Sequence, residues 1–236
     1  MEMVAELPIF LGLVSSLSAF VFSFLALWKL DRHGRVYSAL MIIVGVWSLL
    51  YVLQLASPGI EDKIFWLKSR TVISQIVGFT WLIFALEYTG RDEWLEPQYF
   101  GILVLPSILV AMLVSTNYGN LFVTSAYVTQ AYFLEVTYGP VFWTGAVYVY
   151  LLTGMGFWFL GKMFTESFGV YRKQILSLGV SAVFPVLASI LHLSEEFALL
   201  PNLNPFPNIE PTPYAFTLSV LVLGIAFFNY RLFDIV

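Results

Sequence analysis

The chain is predicted to be an all-α membrane protein: a seven-transmembrane helix bundle with its N-terminus outside, its C-terminus inside and an extracellular β-hairpin between helices 4 and 5. Three observations carry this reading. The first is composition: 236 residues that are 59% hydrophobic and 11% charged, with a mean hydropathy of +0.84, hold more apolar surface than one water-soluble core can bury. The second is a series of seven apolar runs, each near the ~20 helical residues that span a bilayer. The third is the distribution of Lys and Arg, which accumulate on the cytoplasmic side of membrane proteins.

The runs fall at 8–28, 37–55, 69–88, 99–114, 140–160, 175–193 and 213–228, each bounded by charge, Pro or Gly. The first is not a secretory signal, because its approach carries Glu2 and Glu6 while Lys29, Arg32 and Arg35 follow it. With seven spans and the N-terminus outside, Lys29, Arg32, Arg35, Arg91, Lys162, Arg172, Lys173 and Arg231 lie inside, and Lys63, Lys68 and Arg70 lie outside. Most connections are short, so consecutive spans are antiparallel neighbours in a single domain covering 1–236. The two long connections, 115–139 and 194–212, share the outer face. In the first, 121–128 and 132–138 are rich in Val, Thr, Tyr and Phe and read as a β-hairpin over the outer mouth. The second holds Pro201, Pro205, Pro207 and Pro211 and reads as extended chain.

Within the spans, Pro106 and Pro185 are expected to free helix carbonyls for hydroxyl neighbours. Ser74 and Gly78 in the third span, with Gly145, Gly154 and Gly156 in the fifth, are expected to allow close helix approach.

Several functions are disfavoured by what the chain lacks. Without cysteine there are no disulfides or thiolate sites, and a net charge of −4 gives no basic face for nucleic acid. The last span has no lysine for a retinal Schiff base, and no cofactor is expected. The inner ends of the third and seventh spans read Glu87-Tyr-Thr-Gly-Arg91 and Asn229-Tyr-Arg231 rather than G-protein-coupled receptor motifs. There is no glycine-rich phosphate loop or metal-spaced cluster, and His33 and His192 fall on opposite faces, so the chain is not expected to be an enzyme. A small-molecule or ion transporter or channel is the alternative, although deep polar residues are few: Gln54, Gln75, Ser177 and Ser189.

Six strings, in order and at corresponding span ends, resemble a known family: Ile64-Phe-Trp-Leu-Lys68, Phe84-Ala-Leu-Glu-Tyr-Thr-Gly-Arg91, Ser115-Thr-Asn117, Tyr138-Gly-Pro-Val-Phe-Trp143, Pro211-Thr-Pro-Tyr-Ala-Phe216 and Tyr230-Arg-Leu-Phe-Asp-Ile-Val236. Together they look like the N-terminal seven-transmembrane sensor region of membrane histidine kinases. The family pattern commonly has Asp before the last Thr-Pro, where this chain has Glu210 and Pro211, and Asn after the sixth-span proline, where it has Ala188 and Ser189. The resemblance implies a sensory input domain of a two-component system in the cell membrane of a prokaryote, signalling through helix 7 to a cytoplasmic histidine kinase or PAS-type domain. Arg231 and Asp234 would carry the output. It implies a homodimer, since histidine kinases work as dimers. The chain carries no phosphorylatable His box or ATP-binding region, so it is expected to be either the sensor part of a longer kinase or a free-standing sensor acting on a partner.

The candidate ligand site lies at the outer mouth. Lys68 and Arg70 are about 200° apart around a helix. Lys68 shares a heptad stripe with Gln75, continued by Val72 and Phe79, which predicts that Lys68 faces inward and that Arg70 anchors to lipid phosphate or to an acidic loop residue such as Glu61, Asp62, Glu195 or Glu196. Trp66, Tyr132, Tyr138 and Trp143 belong to the same level, as interface-belt aromatics or as ligand-stacking groups. Glu135 is placed to pair with either cation, and His192 lies at the same end. The expected pocket opens outward between helices 3, 5, 6 and 7 and takes an amphipathic or anionic small molecule or lipid.

Overall fold

The computed structural model describes residues 3–28, 32–129, 133–196 and 210–230. Seven helices follow in order: α1 (Met3–Trp28), α2 (Arg32–Ala56), α3 (Ile60–Tyr88), α4 (Pro97–Thr116), α5 (Pro140–Glu166), α6 (Gly169–Glu196) and α7 (Thr212–Tyr230). Six of them are long and apolar enough to cross a membrane, and Thr212–Leu223 of α7 adds a shorter apolar helix. Most begin or end beyond the apolar windows. The difference is largest at α3, where the helix starts at Ile60 rather than near residue 69. Its first turns hold because Lys63, only 1% exposed, donates through Nζ to the carbonyls of Gln54 (2.9 Å) and Leu55 (3.2 Å). These are among the last carbonyls of α2, which have no partner within their own helix. One buried lysine therefore ties the end of α2 to the first turn of α3.

α2, α3, α5, α6 and α7 surround a central cavity. α1 packs outside against α2 and α7, and α4 packs outside against α3 and α5. The outer helices turn large apolar side chains outward, including Phe10, Leu17 and Phe24 on α1 and Ile102, Leu105 and Met112 on α4. Such surfaces are matched to lipid. Because lipid tails supply no hydrophobic drive for helix association, the seams rely on close packing and hydrogen bonds. On the α1–α2 seam Ser23 and Ser38 hydroxyls are 2.8 Å apart, and Ser16 donates to the Gly45 carbonyl at 3.0 Å. On the α3–α5 seam, a Cβ at Gly78 would lie 3.0 Å from Val149, and one at Gly156 would lie 2.4 Å from Nε1 of Trp81. Gly145 meets Val110 of α4 and Gln75. The expectation for Gly154 does not hold, since a Cβ there meets nothing within 4 Å.

The carbonyl freed by Pro185 finds a hydroxyl donor, and the turn before Pro106 receives one at a neighbouring carbonyl. Pro185 removes the N–H that would reach the carbonyl of Ser181, and Ser219 of α7 donates to that carbonyl at 2.6 Å. Near Pro106, Tyr148 donates to the Leu103 carbonyl at 2.5 Å. Ser219→Ala is therefore expected to lower stability by about 1–3 kcal/mol, the range for a buried acceptor losing its donor. Equilibrium unfolding in mixed micelles measures this, and an unchanged midpoint would remove the bond from the α6–α7 seam.

The hairpin is present as β1 (Val123–Val128) and β2 (Leu134–Tyr138), antiparallel, with Tyr127 opposite Glu135 and a register irregularity between Val123 and Ser125. Asn117, in left-handed backbone at φ 45°, starts it. Its Oδ1 accepts the N–H groups of Phe122 and Val123, both at 3.0 Å. Buried Phe122 and Val123 cluster with Leu67 of α3, Val114 of α4 and Val141 of α5, while Phe133, near the hairpin tip, clusters with Tyr51 and Leu55 of α2. The hairpin thus bridges the end of the bundle. Tyr132 and most of the second long connection lie outside the described residues.

Candidate functional site

The central cavity, about 240 Å³, runs along the bundle and is walled mainly by apolar side chains. At the hairpin end a second, more polar chamber of about 350 Å³ lies between the hairpin and the helix ends, lined by Tyr51, Gln54, Glu135 and their neighbours. Leu67, Arg70, Tyr138, His192 and Glu210 line both chambers. These five side chains form the partition between the vestibule at the hairpin end and the cavity within the bundle.

Arg70 is the centre of the partition. It is 7% exposed, and its guanidinium Nη1 forms a salt bridge with Oε2 of Glu210, just ahead of α7. The cation also lies 5.3 Å from the centre of the Trp47 ring and 5.1 Å from that of Tyr51, so two α2 aromatics flank it. The hydroxyl of Tyr51 in turn accepts the Glu210 N–H at 3.2 Å. Helices α2 and α3 and the start of α7 are thereby tied at one point. The α7 turn itself is opened by the Pro211 carbonyl, which accepts from Tyr214 and Ala215 at 3.2 and 3.1 Å.

Burial works against ionisation of Glu210, but the Arg70 guanidinium beside it holds its carboxyl below the ordinary value of 4.5. A carboxyl held low in the folded state contributes stability that is fully present above its unfolded pKa and is lost as pH falls through the folded one. Thermal stability is therefore expected to be insensitive to this group above about pH 4.5 and to drop at lower pH, with the drop reduced in Glu210→Gln. A variant with the same acid limb as the wild type would remove Glu210 from that transition.

The structure reverses the expected roles of the two cations. Lys68 lines neither chamber, and its Nζ reaches the Ser115 carbonyl at the end of α4 at a long 3.4 Å. The rest of the heptad stripe lies on the same side: Val72 packs against the cluster that holds Val114 of α4, and Phe79 lies edge-on to Phe100 of α4, with ring centres 5.1 Å apart. Phe79 and Lys68 thus reach toward α4, whereas Gln75 lies beside Gly145 of α5 and lines the cavity. Gln75 is 3% exposed, and its Oε1 has no hydrogen-bond partner among the described residues. Arg70 does take a loop carboxylate, but it is Glu210 rather than Glu61, Asp62, Glu195 or Glu196.

Among the other candidates, Tyr138 stacks on Phe142, with ring centres 3.7 Å apart and planes at 13°, and both face the cavity. His192 lines both chambers, and its Nδ1 has no hydrogen-bond partner among the described residues. Glu135 stands in the vestibule, where it accepts from the Tyr127 hydroxyl at 3.4 Å. Trp66 instead binds Ser57 through Nε1 at 3.0 Å, and Trp143 packs edge-on against Phe142; neither reaches a chamber. Arg231 and Asp234 lie outside the described residues. The expected helices 3, 5, 6 and 7 all line the cavity, and α2 joins them through Trp47 and its neighbours. Among the described residues no cluster of His, Cys, Asp or Glu is arranged to hold a metal ion.

Comparison with known proteins agrees with this architecture. Searches of the curated proteins and of the solved structures found no match. A family model described as the N-terminal 7TM region of histidine kinase matches residues 11–236. The apolar helices make the chain a multi-pass membrane protein. The chain therefore belongs to the family of N-terminal seven-transmembrane regions of histidine kinases.

Proposed function

We propose that this chain is the input domain of a membrane sensor, in which occupancy of the central cavity by a small amphipathic molecule or lipid alters the position of α7. The family supports the coarse reading, since the seven-helix region of histidine kinases is a non-catalytic input domain and the kinase activity lies in other domains. The observation that carries the finer one is that α7 supplies a wall of the cavity, through Thr212, Phe216, Ser219 and Leu223. An occupant would touch the helix that leads out of the membrane. A ligand that binds one of two helix arrangements more tightly shifts their populations, and a tenfold shift needs a differential of only ~1.4 kcal/mol. The orientation given by the Lys and Arg distribution puts the vestibule outside, the hairpin over it, and Arg231 and Asp234 on the cytoplasmic side where a kinase or PAS-type domain receives the signal.

The experiment is a fusion. The catalytic part of a dimeric histidine kinase, joined after Val236 and reconstituted in nanodiscs, is expected to change its autophosphorylation when a panel of single-chain amphiphiles and lipids is added. Phe216→Trp, which fills the cavity from the α7 side, is expected to blunt the response. A fusion indifferent to every addition, together with solute flux through the same protein in proteoliposomes, would replace the sensor reading by a carrier or channel.

A further inference from the structure

Building on the proposed occupancy of the central cavity, we infer that its preferred ligand is an uncharged single-chain amphiphile whose head both donates and accepts hydrogen bonds, such as an alcohol or a primary amide, and that the matching carboxylate is rejected. Charge comes first. The one cation facing the cavity from α3, Arg70, is already neutralised by Glu210. An incoming carboxylate would have to take Arg70 from Glu210, which would leave a buried anion without its partner, a strongly unfavourable exchange. An incoming ammonium would meet the same difficulty from the opposite side.

The unmet hydrogen-bonding capacity near the pair is of both kinds. Trp47 offers a buried Nε1–H with no acceptor among the described residues, on the ring that faces Arg70 at 5.3 Å. Gln75, one and a half turns further along α3, has an unsatisfied buried oxygen. His192 presents an unpartnered Nδ1 on the α6 side, next to Glu210. Buried polar atoms are normally satisfied, and each exception calls for a missing partner. All three side chains line the same cavity. A head that donates and accepts can satisfy members of this set, whereas a simple hydrocarbon leaves them as they are. The remaining walls, including Leu40, Val44 and Leu178, are apolar and suit a tail. The volume of about 240 Å³ lies at or below the small end of drug-sized pockets, which favours one chain over a diacyl lipid.

The test uses the whole chain in nanodiscs and four probes of equal length, decanol, decanamide, decanoate and decylammonium, with decane as the reference, compared at equal bilayer mole fraction. Thermal shift and competition are expected to rank decanamide and decanol above decanoate and decylammonium by about tenfold or more in affinity. Gln75→Leu and, separately, Trp47→Phe are expected to bring decanamide to within a few-fold of decane. The two variants guard against a failure of either one to fold. Decanoate binding as tightly as decanamide would overturn the inference while leaving the cavity a ligand site. So would an affinity for decanamide that neither variant changes. Absence of binding by all five compounds would count against the occupancy reading itself.

Discussion

Replacing Arg70 by Met is expected to destabilise the bundle by about 3–5 kcal/mol, the range for removing one partner of a buried ion pair. The loss arises less from the attraction given up than from Glu210, which keeps its charge in a site built to hold two. In Arg70→Met the carboxylate retains the Tyr51 hydroxyl near its backbone but no longer has the guanidinium. It must then protonate or draw water into the partition, and the flanking Trp47 and Tyr51 faces lose their cation. The double variant Arg70→Met with Glu210→Gln removes both charges and is expected to recover most of the stability, because replacing a whole buried pair by neutral groups is often nearly neutral. Equilibrium unfolding of the wild type, both single variants and the double variant gives the coupling directly. A loss below about 1 kcal/mol in Arg70→Met, the range of an exposed pair, would show that the pair is hydrated in the membrane and is not the tie between α3 and α7.

The same cycle bears on signalling. The pair joins α3 to the segment immediately before the helix proposed to carry the output, so a ligand that repacks the partition acts on α7 at its start. If the tie holds one of the two arrangements, the kinase fusion of the double variant is expected to show altered basal output even where its stability is restored. Stability and output would then separate, which a purely structural pair would not allow.

What was legible in the sequence followed local rules. Apolar runs, turn residues and the alternation of Val, Thr, Tyr and Phe around 121–138 each depend on near neighbours, and seven α-helices and a hairpin formed around them, although most helices outrun their apolar windows. Proline chemistry was legible for the same reason, since the carbonyl four residues before Pro185 is freed whatever the fold. The partition was not. Arg70 and Glu210 are 140 residues apart, and the loop holding Glu210 is unpatterned apart from its prolines. Helical phase went astray at Lys68 because periodicity gives relative directions around a helix and not which direction faces inward. That depends on where α4 packs. The signal that would have pointed to Arg70 was a lone carboxylate directly ahead of Pro211-Thr-Pro213, at the same membrane level as a cation lying inside an otherwise apolar run.

Gly139→Ala is expected to lower stability by about 1–3 kcal/mol or more as an overpacking substitution. The backbone there, φ −88° and ψ 178°, is ordinary for alanine, so conformational freedom is not the issue. Space is. A Cβ at this position would lie 2.3 Å from the Leu121 carbonyl oxygen, 2.7 Å from its carbon and 3.1 Å from the Asn120 oxygen, and these are main-chain atoms that cannot rotate away. They are also committed, since Leu121 accepts the Val141 N–H at 3.0 Å and Phe122 accepts the Gly139 N–H at 2.8 Å. Relief of the clash must move β1 away from the start of α5, and Tyr138, adjacent to Gly139, moves with the strand end. Its stack on Phe142 forms part of the partition, so amphiphile binding in the nanodisc assay is expected to weaken together with stability. Gly154→Ala supplies the contrast: with nothing within 4 Å of its Cβ, it is expected to be neutral or stabilising by up to about 1 kcal/mol through helix propensity alone. Equal effects from the two alanines would mean that the hairpin is not seated on α5 through Gly139, and that the mouth of the cavity is set by the helices without it.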